Sequence, residues 1–331
     1  MPKLLAPALA PVARLARPRI TVIRPGGLGD TLLLLAALQW LRARLPGVRL
    51  GLVGSAWAAA LRPLVPWPLE VFPFDAPALA PLFGSGSPRG VRPLPPADAV
   101  VLYTADPGSD FVQNVVRLSA CPVLVWPVAP GAGRHAAQHF VEPLAGSAPA
   151  LADLDPPALC VPDALRAWGA RWLEAHLAGD VRPLAVHPGS GGRRKCWPPE
   201  QFAELIRRRG EPVLLIEGPA DAEACRAVRE GLGGRVPLAT ARDLEVPQLA
   251  ALLLAAGGYA GNDSGVTHLA AALGLPALAI FGPTDAAVWR PLGKCATVIQ
   301  PPCGAAWPTV DDGLGALPPL IPARFRAQGG R

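Results

Sequence analysis

A carboxylate follows a glycine-rich turn near the start of the chain, where it could cap a helix or act as a base. The turn reads Gly-Gly-Leu-Gly-Asp at 26–30 and comes directly after a short β-branched run, and a helix is predicted to begin at Thr31. Asp30 could accept a main-chain N–H as a helix cap, or it could face a cleft and accept a proton as a general base. The spacing alone favours the cap. Gly27 and Gly29 permit close approach to the backbone at this turn.

A second candidate is a loop of small and basic residues in the second half of the chain. It reads His187-Pro-Gly-Ser-Gly-Gly-Arg-Arg-Lys-Cys-Trp197. The small residues at 189–192, with Ser190 among them, expose successive main-chain N–H groups, and Lys195 and the two arginines before it add positive charge. Such a concavity after a strand suits a phosphate or diphosphate, although a solvated basic loop fits the sequence equally well. The segment does not match the GxxxxGK[ST] pattern of a P-loop.

A third candidate is the start of a helix at Gly-Asn-Asp-Ser-Gly-Val-Thr-His, residues 261–268. The main-chain N–H groups of Ser264, Gly265 and Val266 are expected at the positive end of this helix, where an anion binds readily. Asp263 would then be free to hold the hydroxyl groups of a sugar. His268 falls one turn into the helix, where a histidine is more often packed than functional. Two anion-binding turns in one half of the chain favour a diphosphate ligand.

The elements that must position these residues alternate along the chain as strand, glycine-bearing turn and helix. There are two such series, and this alternation predicts an α/β fold with two Rossmann-like parallel-sheet domains and a cleft between them. Ligands are then expected beyond the carboxyl ends of the strands. The predicted division is a loose leader at 1–18, an N-terminal domain at 19–165, a connecting helix at 166–182, a C-terminal domain at 183–310 and a tail at 311–331.

Composition excludes several other classes. The chain has 331 residues, of which 51% are hydrophobic, and it carries a formal net charge of +6, so a packed core is expected and anionic small molecules are suitable partners. Basic and aromatic residues do not interleave, which disfavours nucleic acid. No apolar run reaches the ~18 residues of a membrane span. The cysteines form no CxxC pair and support neither a disulfide framework nor a zinc site; they are Cys121, Cys160, Cys196, Cys225, Cys295 and Cys303.

Taken together, the motifs resemble the family-9 glycosyltransferases, the heptosyltransferases of lipopolysaccharide core assembly. The resemblance runs from about residue 20 to 293 and depends on the order and spacing of several short segments. The residues that carry it are Gly27-Leu-Gly-Asp30, His187-Pro-Gly-Ser190, Lys195, Trp197-Pro198, Asp263-Ser-Gly-Val-Thr-His268, Phe281-Gly-Pro-Thr-Asp285 and Trp289.

The resemblance implies a GT-B-like fold and an inverting, metal-independent transfer from a nucleotide-diphosphate sugar, typically ADP-heptose, without another cofactor. By this resemblance Asp30 deprotonates the acceptor hydroxyl, and Gly27 and Gly29 form the acceptor-side loop. The implied residues for the donor phosphates are Ser190, Lys195, Ser264, Gly265 and His268, and those for the donor sugar and ribose are Asp263 and Glu223, with Asp221 as the alternative to Glu223.

The resemblance also implies an acceptor and a location. The acceptor would be a lipopolysaccharide-core glycan, or another glycan or glycolipid of the cell envelope. The protein would be cytoplasmic, with peripheral contact at the inner face of the cytoplasmic membrane as an open alternative.

Two other functions fit the same motifs. A nucleotide-sugar epimerase of similar shape would act on the free donor without an acceptor, and a scaffold could bind a nucleotide sugar without catalysis. A nicotinamide-dependent oxidoreductase is disfavoured because no GxGxxG follows a predicted strand.

Overall fold

The computed structural model of the chain describes residues 7–9, 11–85, 94–177, 182–301 and 307–322. Residues 1–6 of the predicted leader, Cys303 and residues 323–331 of the predicted tail lie outside the described residues. The chain divides into two compact units, Met1–Cys160 and Val161–Arg331.

The first unit is built on a five-stranded parallel sheet with the order β3-β2-β1-β4-β5. Its strands are short apolar runs because helices cover both faces of a parallel sheet. The strands are β1 (Arg19–Ile23), β2 (Arg49–Gly54), β3 (Leu69–Pro73), β4 (Ala99–Thr104) and β5 (Val123–Pro127), and the α-helices are α1 (Leu28–Arg44), α2 (Ala56–Leu61), α3 (Asp110–Leu118) and α4 (Ala136–Ala145). Short 3₁₀ helices lie at Pro7–Leu9, Val12–Arg14, Arg62–Leu64, Pro77–Phe83 and Leu151–Asp153.

The second unit is built on a six-stranded parallel sheet with the order β11-β10-β9-β6-β7-β8. Its strands are β6 (Leu184–His187), β7 (Val213–Glu217), β8 (Leu238–Arg242), β9 (Gly258–Asn262), β10 (Ala277–Ile280) and β11 (Ala296–Ile299). Its helices are α5 (Asp163–His176), α6 (Pro199–Arg209), α7 (Ala222–Leu232), α8 (Val246–Ala255), α9 (Gly265–Ala272), α10 (Ala286–Trp289) and α11 (Val310–Ala316), with a 3₁₀ turn at Arg193–Lys195. The prediction of two Rossmann-like parallel-sheet units is confirmed.

Each sheet has one point at which the strand order reverses direction. In the first unit this point lies between β1 and β4, and in the second unit it lies between β6 and β9. Loops that leave neighbouring strands at such a point diverge to opposite faces and open a crevice at the carboxyl edge, where open α/β sheets bind their ligands. The turn at 26–30 follows β1. The segment at 187–197 begins with the last residue of β6, and the segment at 261–268 contains the end of β9 and the start of α9.

Several element boundaries differ from the sequence predictions. Helix α1 begins at Leu28 rather than Thr31 because Gly27 has extended backbone and serves as the cap, so Gly29 lies within the first helical turn. In the predicted leader, Leu9 and Val12 are buried. Helix α5 covers much of the predicted connecting segment and lies in the second unit, where Gly169 allows close packing on Ala251 of α8.

No helix among the described residues is long and apolar enough to cross a membrane.

Candidate functional site

The basic loop after β6 is held at both ends by one buried side chain. Asn262, the last residue of β9, is fully buried. Its Nδ2 donates to the carbonyl oxygens of Pro188 (2.8 Å) and Gly189 (3.2 Å), and its Oδ1 accepts from the main-chain N–H of Trp197 (2.9 Å). A buried amide with all these partners fixes the loop across the β6–β9 crevice. This loop therefore has a defined path over the point where a ligand is expected.

Helix α9 begins at the same crevice. Ser264 is its N-cap, and the Ser264 Oγ accepts the main-chain N–H of Thr267. The N–H groups of Gly265 and Val266 belong to the first turn, where a helix offers them no intrahelical acceptor. They lie at the positive end of the helix dipole, which favours a bound anion.

Lys195 is brought to the start of α9 by an ion pair. Its Nζ donates to Asp263 Oδ2 at 3.0 Å, and the same oxygen accepts from the Thr284 hydroxyl at 2.8 Å. The Asp263 side chain is 8% exposed, whereas that of Lys195 is 41% exposed, so the ammonium group retains access to solvent. The Ser190 hydroxyl donates to the main-chain oxygen of Asp263 at 2.6 Å, which ties the loop to α9 a second time.

Two predicted donor residues lie beside this cluster rather than within it. Glu223, in the first turn of α7, is largely exposed and forms an ion pair with Arg193. His268 is buried within α9, and its main-chain N–H donates to the Ser264 carbonyl. The structure thus brings Ser190, Lys195, Asp263, Ser264 and Gly265 together directly, with His268 one turn along the same helix and Glu223 reached through Arg193.

A buried histidine–carboxylate pair joins the start of the loop to the segment before α7. The sequence did not predict this pair, although it offered Asp221 as the alternative to Glu223 for the ribose. His187 Nε2 is 2.9 Å from Asp221 Oδ2, and His187 Nδ1 is 3.3 Å from Ser264 Oγ. Asp221 Oδ2 also accepts the main-chain N–H of Gly218 at 3.1 Å. The sequence signal for this pair is His187, a polar residue that ends an apolar strand. The sequence does not point to its partner, because Asp221 is 34 residues away.

The environment of Asp221 keeps it a hydrogen-bond acceptor. Burial raises the pKa of this carboxyl, but its hydrogen bond and charge interaction with His187, together with the Gly218 N–H, outweigh that effect and leave the pKa below its ordinary value. The space for the carboxylate is made by Gly189, since a Cβ there would overlap it. Because this pair occupies Asp221, Glu223 is the more accessible of the two carboxylates considered for the ribose.

In the first unit, Asp30 is held by two partners. Its Oδ1 accepts from the Arg24 guanidinium at 2.9 Å, and its Oδ2 accepts the Gly27 N–H at 3.1 Å, as the third residue of α1 in a capping box. The Arg24 side chain is 4% exposed and lies over the Phe140 ring, 4.5 Å from its centroid, whereas Asp30 is 30% exposed. The predicted cap is present in the structure. The role of Asp30 as a base stays a prediction, with which the cap is compatible because a carboxylate that caps a helix retains lone pairs toward solvent.

Sequence reasoning missed Arg24, although it directly follows strand β1 as the last polar side chain before the glycines. A Cβ at Gly26 would overlap the Arg24 guanidinium, so one of these glycines makes room for the ion pair. Among the described residues, no group of three or more His, Cys, Asp or Glu side chains is arranged to hold a metal ion.

Chemically, the cluster in the second unit suits a diphosphate. It combines main-chain N–H groups at a helix start with one partly exposed ammonium group, and such fixed donors bind and stabilise phosphate oxygens. The first unit contributes a partly exposed carboxylate in a fixed orientation, which suits proton acceptance.

Part of the chain is similar in sequence to curated lipopolysaccharide heptosyltransferases. The chain is 36% identical over 113 residues to lipopolysaccharide heptosyltransferase 3 of Escherichia coli, which is 33% of each chain. The match thus spans about a third of the length of this curated relative.

Solved structures extend the likeness in fold to most of the chain. The structure of Escherichia coli ADP-heptose lipopolysaccharide heptosyltransferase II matches with a TM-score of 0.72 at 22% identity, over 90% of this chain and 97% of the other. Escherichia coli heptosyltransferase WaaC with ADP-2-deoxy-2-fluoro heptose matches with a TM-score of 0.58 at 22% identity, over 86% of this chain and 93% of the other.

The family model of glycosyltransferase family 9 (heptosyltransferase) matches residues 137–308, about half of the chain. This range contains the whole cluster after β6 and β9, whereas Asp30 lies outside it. The chain belongs to glycosyltransferase family 9.

Proposed function

We propose that this protein is a heptosyltransferase that moves heptose from ADP-heptose to a lipopolysaccharide-core or other cell-envelope glycan. The observation that carries the proposal is the cluster of Lys195 and the α9 N-terminus at the switch point of the second sheet, in a chain of family 9. The named substrates of the relatives, an ADP-heptose enzyme and an ADP-fluoroheptose complex, support the choice of donor.

In the proposed reaction the second unit binds the donor. The N–H groups of Gly265 and Val266 and the ammonium group of Lys195 bind the diphosphate, and Ser190, Ser264 and His268 hold this arrangement in place. Asp263 accepts hydrogen bonds from hydroxyl groups of the sugar. Glu223 accepts a hydrogen bond from the ribose once its exposed ion pair with Arg193 opens, an ion pair that contributes little free energy because both side chains are solvated.

The transfer step is a single displacement. The acceptor hydroxyl oxygen attacks the anomeric carbon, its proton passes to Asp30, and the bond between that carbon and the diphosphate oxygen breaks. The nucleoside diphosphate leaves with the bonding electron pair, and the anomeric configuration inverts. The negative charge that develops on the leaving group is stabilised by Lys195 and the α9 N–H groups, the contribution that a divalent metal makes elsewhere. We therefore expect transfer to persist in excess EDTA.

The acceptor determines the place of action. A lipid-linked glycan acceptor would bring the protein to the inner face of the cytoplasmic membrane as a peripheral protein, and a net charge of +6 suits an anionic surface.

The test is product analysis with ADP-heptose, in the presence and absence of a heptose-deficient lipopolysaccharide core, at matched EDTA and Mg²⁺ conditions. We expect the acceptor mass to increase by one heptose only when both substrates are present, with the inverted configuration at the new bond. An altered donor sugar without acceptor would identify an epimerase instead. Donor binding without any product across a panel of core acceptors would favour a binding scaffold.

A further inference from the structure

The proposed transfer reaction gives no role to the buried pair of His187 and Asp221. His187, Asp221 and Ser264 come from three different elements and are each less than 9% exposed. Buried polar groups destabilise a fold unless all of them are satisfied. The Asp221 carboxylate also requires a glycine at position 189, because a Cβ there would overlap it. Such an arrangement calls for a role beyond packing.

Each ring nitrogen of His187 has one partner. The Asp221 carboxylate is acceptor-only, so His187 Nε2 carries the hydrogen between them. The other ring nitrogen, Nδ1, lies 3.3 Å from the Ser264 hydroxyl oxygen. Ser264 Oγ is thus held between His187 and α9, where it accepts the Thr267 main-chain N–H as the helix cap and lies 3.1 Å from the Thr267 hydroxyl.

The neighbouring hydroxyl groups also have partners on the protein side. The Thr267 hydroxyl donates to the Asn262 carbonyl, and its oxygen lies 2.9 Å from the Tyr259 hydroxyl and 3.1 Å from Ser264 Oγ. The hydroxyl groups at the start of α9 therefore form one network with His187.

We propose that His187 and Asp221 act as a positioning pair, which holds the Ser264 hydroxyl inward so that the first turn of α9 binds the diphosphate through its main-chain N–H groups. The inference rests on the proposed function, because it assigns the pair to the donor site of that reaction. His187 is a positioning residue here, since it acts on the ligand through Ser264.

Two substitutions of His187 separate this role from simple bracing. In His187→Asn, the side-chain amide lies near the place of Nδ1 and keeps the contact with Ser264, but it loses Asp221. In His187→Gln, the amide reaches the place of Nε2 and keeps the contact with Asp221, but it loses Ser264. The readouts are the Kd for ADP-heptose by titration calorimetry without acceptor, and the Tm of each variant.

We expect affinity to follow the Ser264 contact and stability to follow the Asp221 contact. His187→Gln should weaken ADP-heptose binding about tenfold with little change in Tm, while His187→Asn should lower the Tm but change the Kd less than about threefold. Ser264→Ala should weaken binding about tenfold by itself, and combining it with His187→Gln should add little, because both act on one contact.

The inference is overturned if affinity and Tm fall together in His187→Asn while His187→Gln binds normally, or if the losses of His187→Gln and Ser264→Ala multiply. If the wild-type protein binds ADP-heptose, either result contradicts only the positioning role of the pair and not the proposed function. A wild-type protein that does not bind ADP-heptose would overturn both.

Discussion

Asp30 and Lys195 are each held by an oppositely charged partner, and in each pair the partner is the more buried side chain. Asp30 is paired with Arg24, whose side chain is 4% exposed, and Lys195 is paired with Asp263, whose side chain is 8% exposed. In both cases the buried member fixes the partly exposed one, which fits a reacting or ligand-binding group that must keep a defined direction.

Replacing Arg24 tests whether this orientation matters. Arg24→Met keeps an apolar side chain over the Phe140 ring but removes the donor to Asp30. We expect kcat to fall about tenfold to hundredfold, since a misdirected base lowers the rate. The Kd for ADP-heptose should stay unchanged, because the residues proposed to bind the donor lie in the other unit. Arg44→Met is the matched control, because Arg44 also stacks on an aromatic ring, 4.0 Å from that of Trp40. Equal losses of kcat in both variants would contradict a specific role of Arg24.

The sequence predicted chemistry-bearing residues only where they stand in a local pattern. Asp30, Lys195 and Asp263 were identified because each lies in or beside a small-residue turn. His187 and Asp221 were not recognised as a pair, because their contact joins residues 34 apart and a single sequence carries no trace of that distance. The alternative of a cap or a base for Asp30 could not be decided either, because one carboxylate has enough lone pairs for both.

At the scale of elements, the loop after β6 depends on particular glycines rather than on glycine content. Gly189→Ala places a Cβ into the Asp221 carboxylate, whereas a Cβ at Gly191 in the same loop meets no neighbour within 4 Å. We expect Gly189→Ala to lower the Tm and weaken ADP-heptose binding about tenfold, since overpacking displaces the buried pair, and Gly191→Ala to change stability by less than about 0.5 kcal/mol. Thermal unfolding and calorimetric titration of the two variants provide the comparison. Similar behaviour of both would show that the pair tolerates displacement.

Strands and helices with a strong local pattern were predicted within a few residues. Helix α6 (Pro199–Arg209) has a sequence signal at both ends, because proline begins it and glycine follows it. Strands β3, β8 and β11 were not predicted, and each of them lies at an edge of its sheet. β3 lies in a proline-rich segment, and its edge position tolerates the proline that ends it. β8, an edge strand of the second sheet, mixes small and polar residues.

At the scale of the whole molecule, the fold should lose stability in acid for a definable reason. Burial raises the pKa of Glu217, but its ion pairs with Arg229 and Arg242 outweigh this and leave the pKa below its ordinary value, as the surroundings of Asp221 do for that carboxyl. A carboxyl with a lower pKa in the folded state binds protons more tightly when unfolded, so acid favours unfolding. The stabilisation is present above about pH 4.5 and is lost as the pH falls through the lowered values.

Denaturant unfolding between pH 7 and pH 2.5 measures this loss. We expect the free energy of unfolding to be nearly constant down to about pH 5 and to fall below it. Glu217→Gln should lower the stability at pH 7 and make the fall with pH shallower. An identical pH dependence in the wild type and in Glu217→Gln would contradict the assignment.

The number of units and their fold class could be read from the sequence, since two series of alternating strands and helices predict two parallel sheets. The order of strands could not, because the sequence does not say which strands pair. The switch points between β1 and β4 and between β6 and β9 are therefore known only from the structure. They explain why motifs 70 or more residues apart meet at one edge of the sheet.

The central claim is that the first unit supplies the base and the second unit binds the donor, and Asp30→Asn tests it most directly. The amide keeps the size of the side chain and an oxygen for one of the two donors, Arg24 or Gly27, which bind different oxygens of Asp30. It cannot take a proton from an acceptor hydroxyl. We expect kcat to fall about a hundredfold or more, with a Kd for ADP-heptose within about twofold of the wild type. An Asp30→Asn protein that transfers heptose at the wild-type rate would contradict the account.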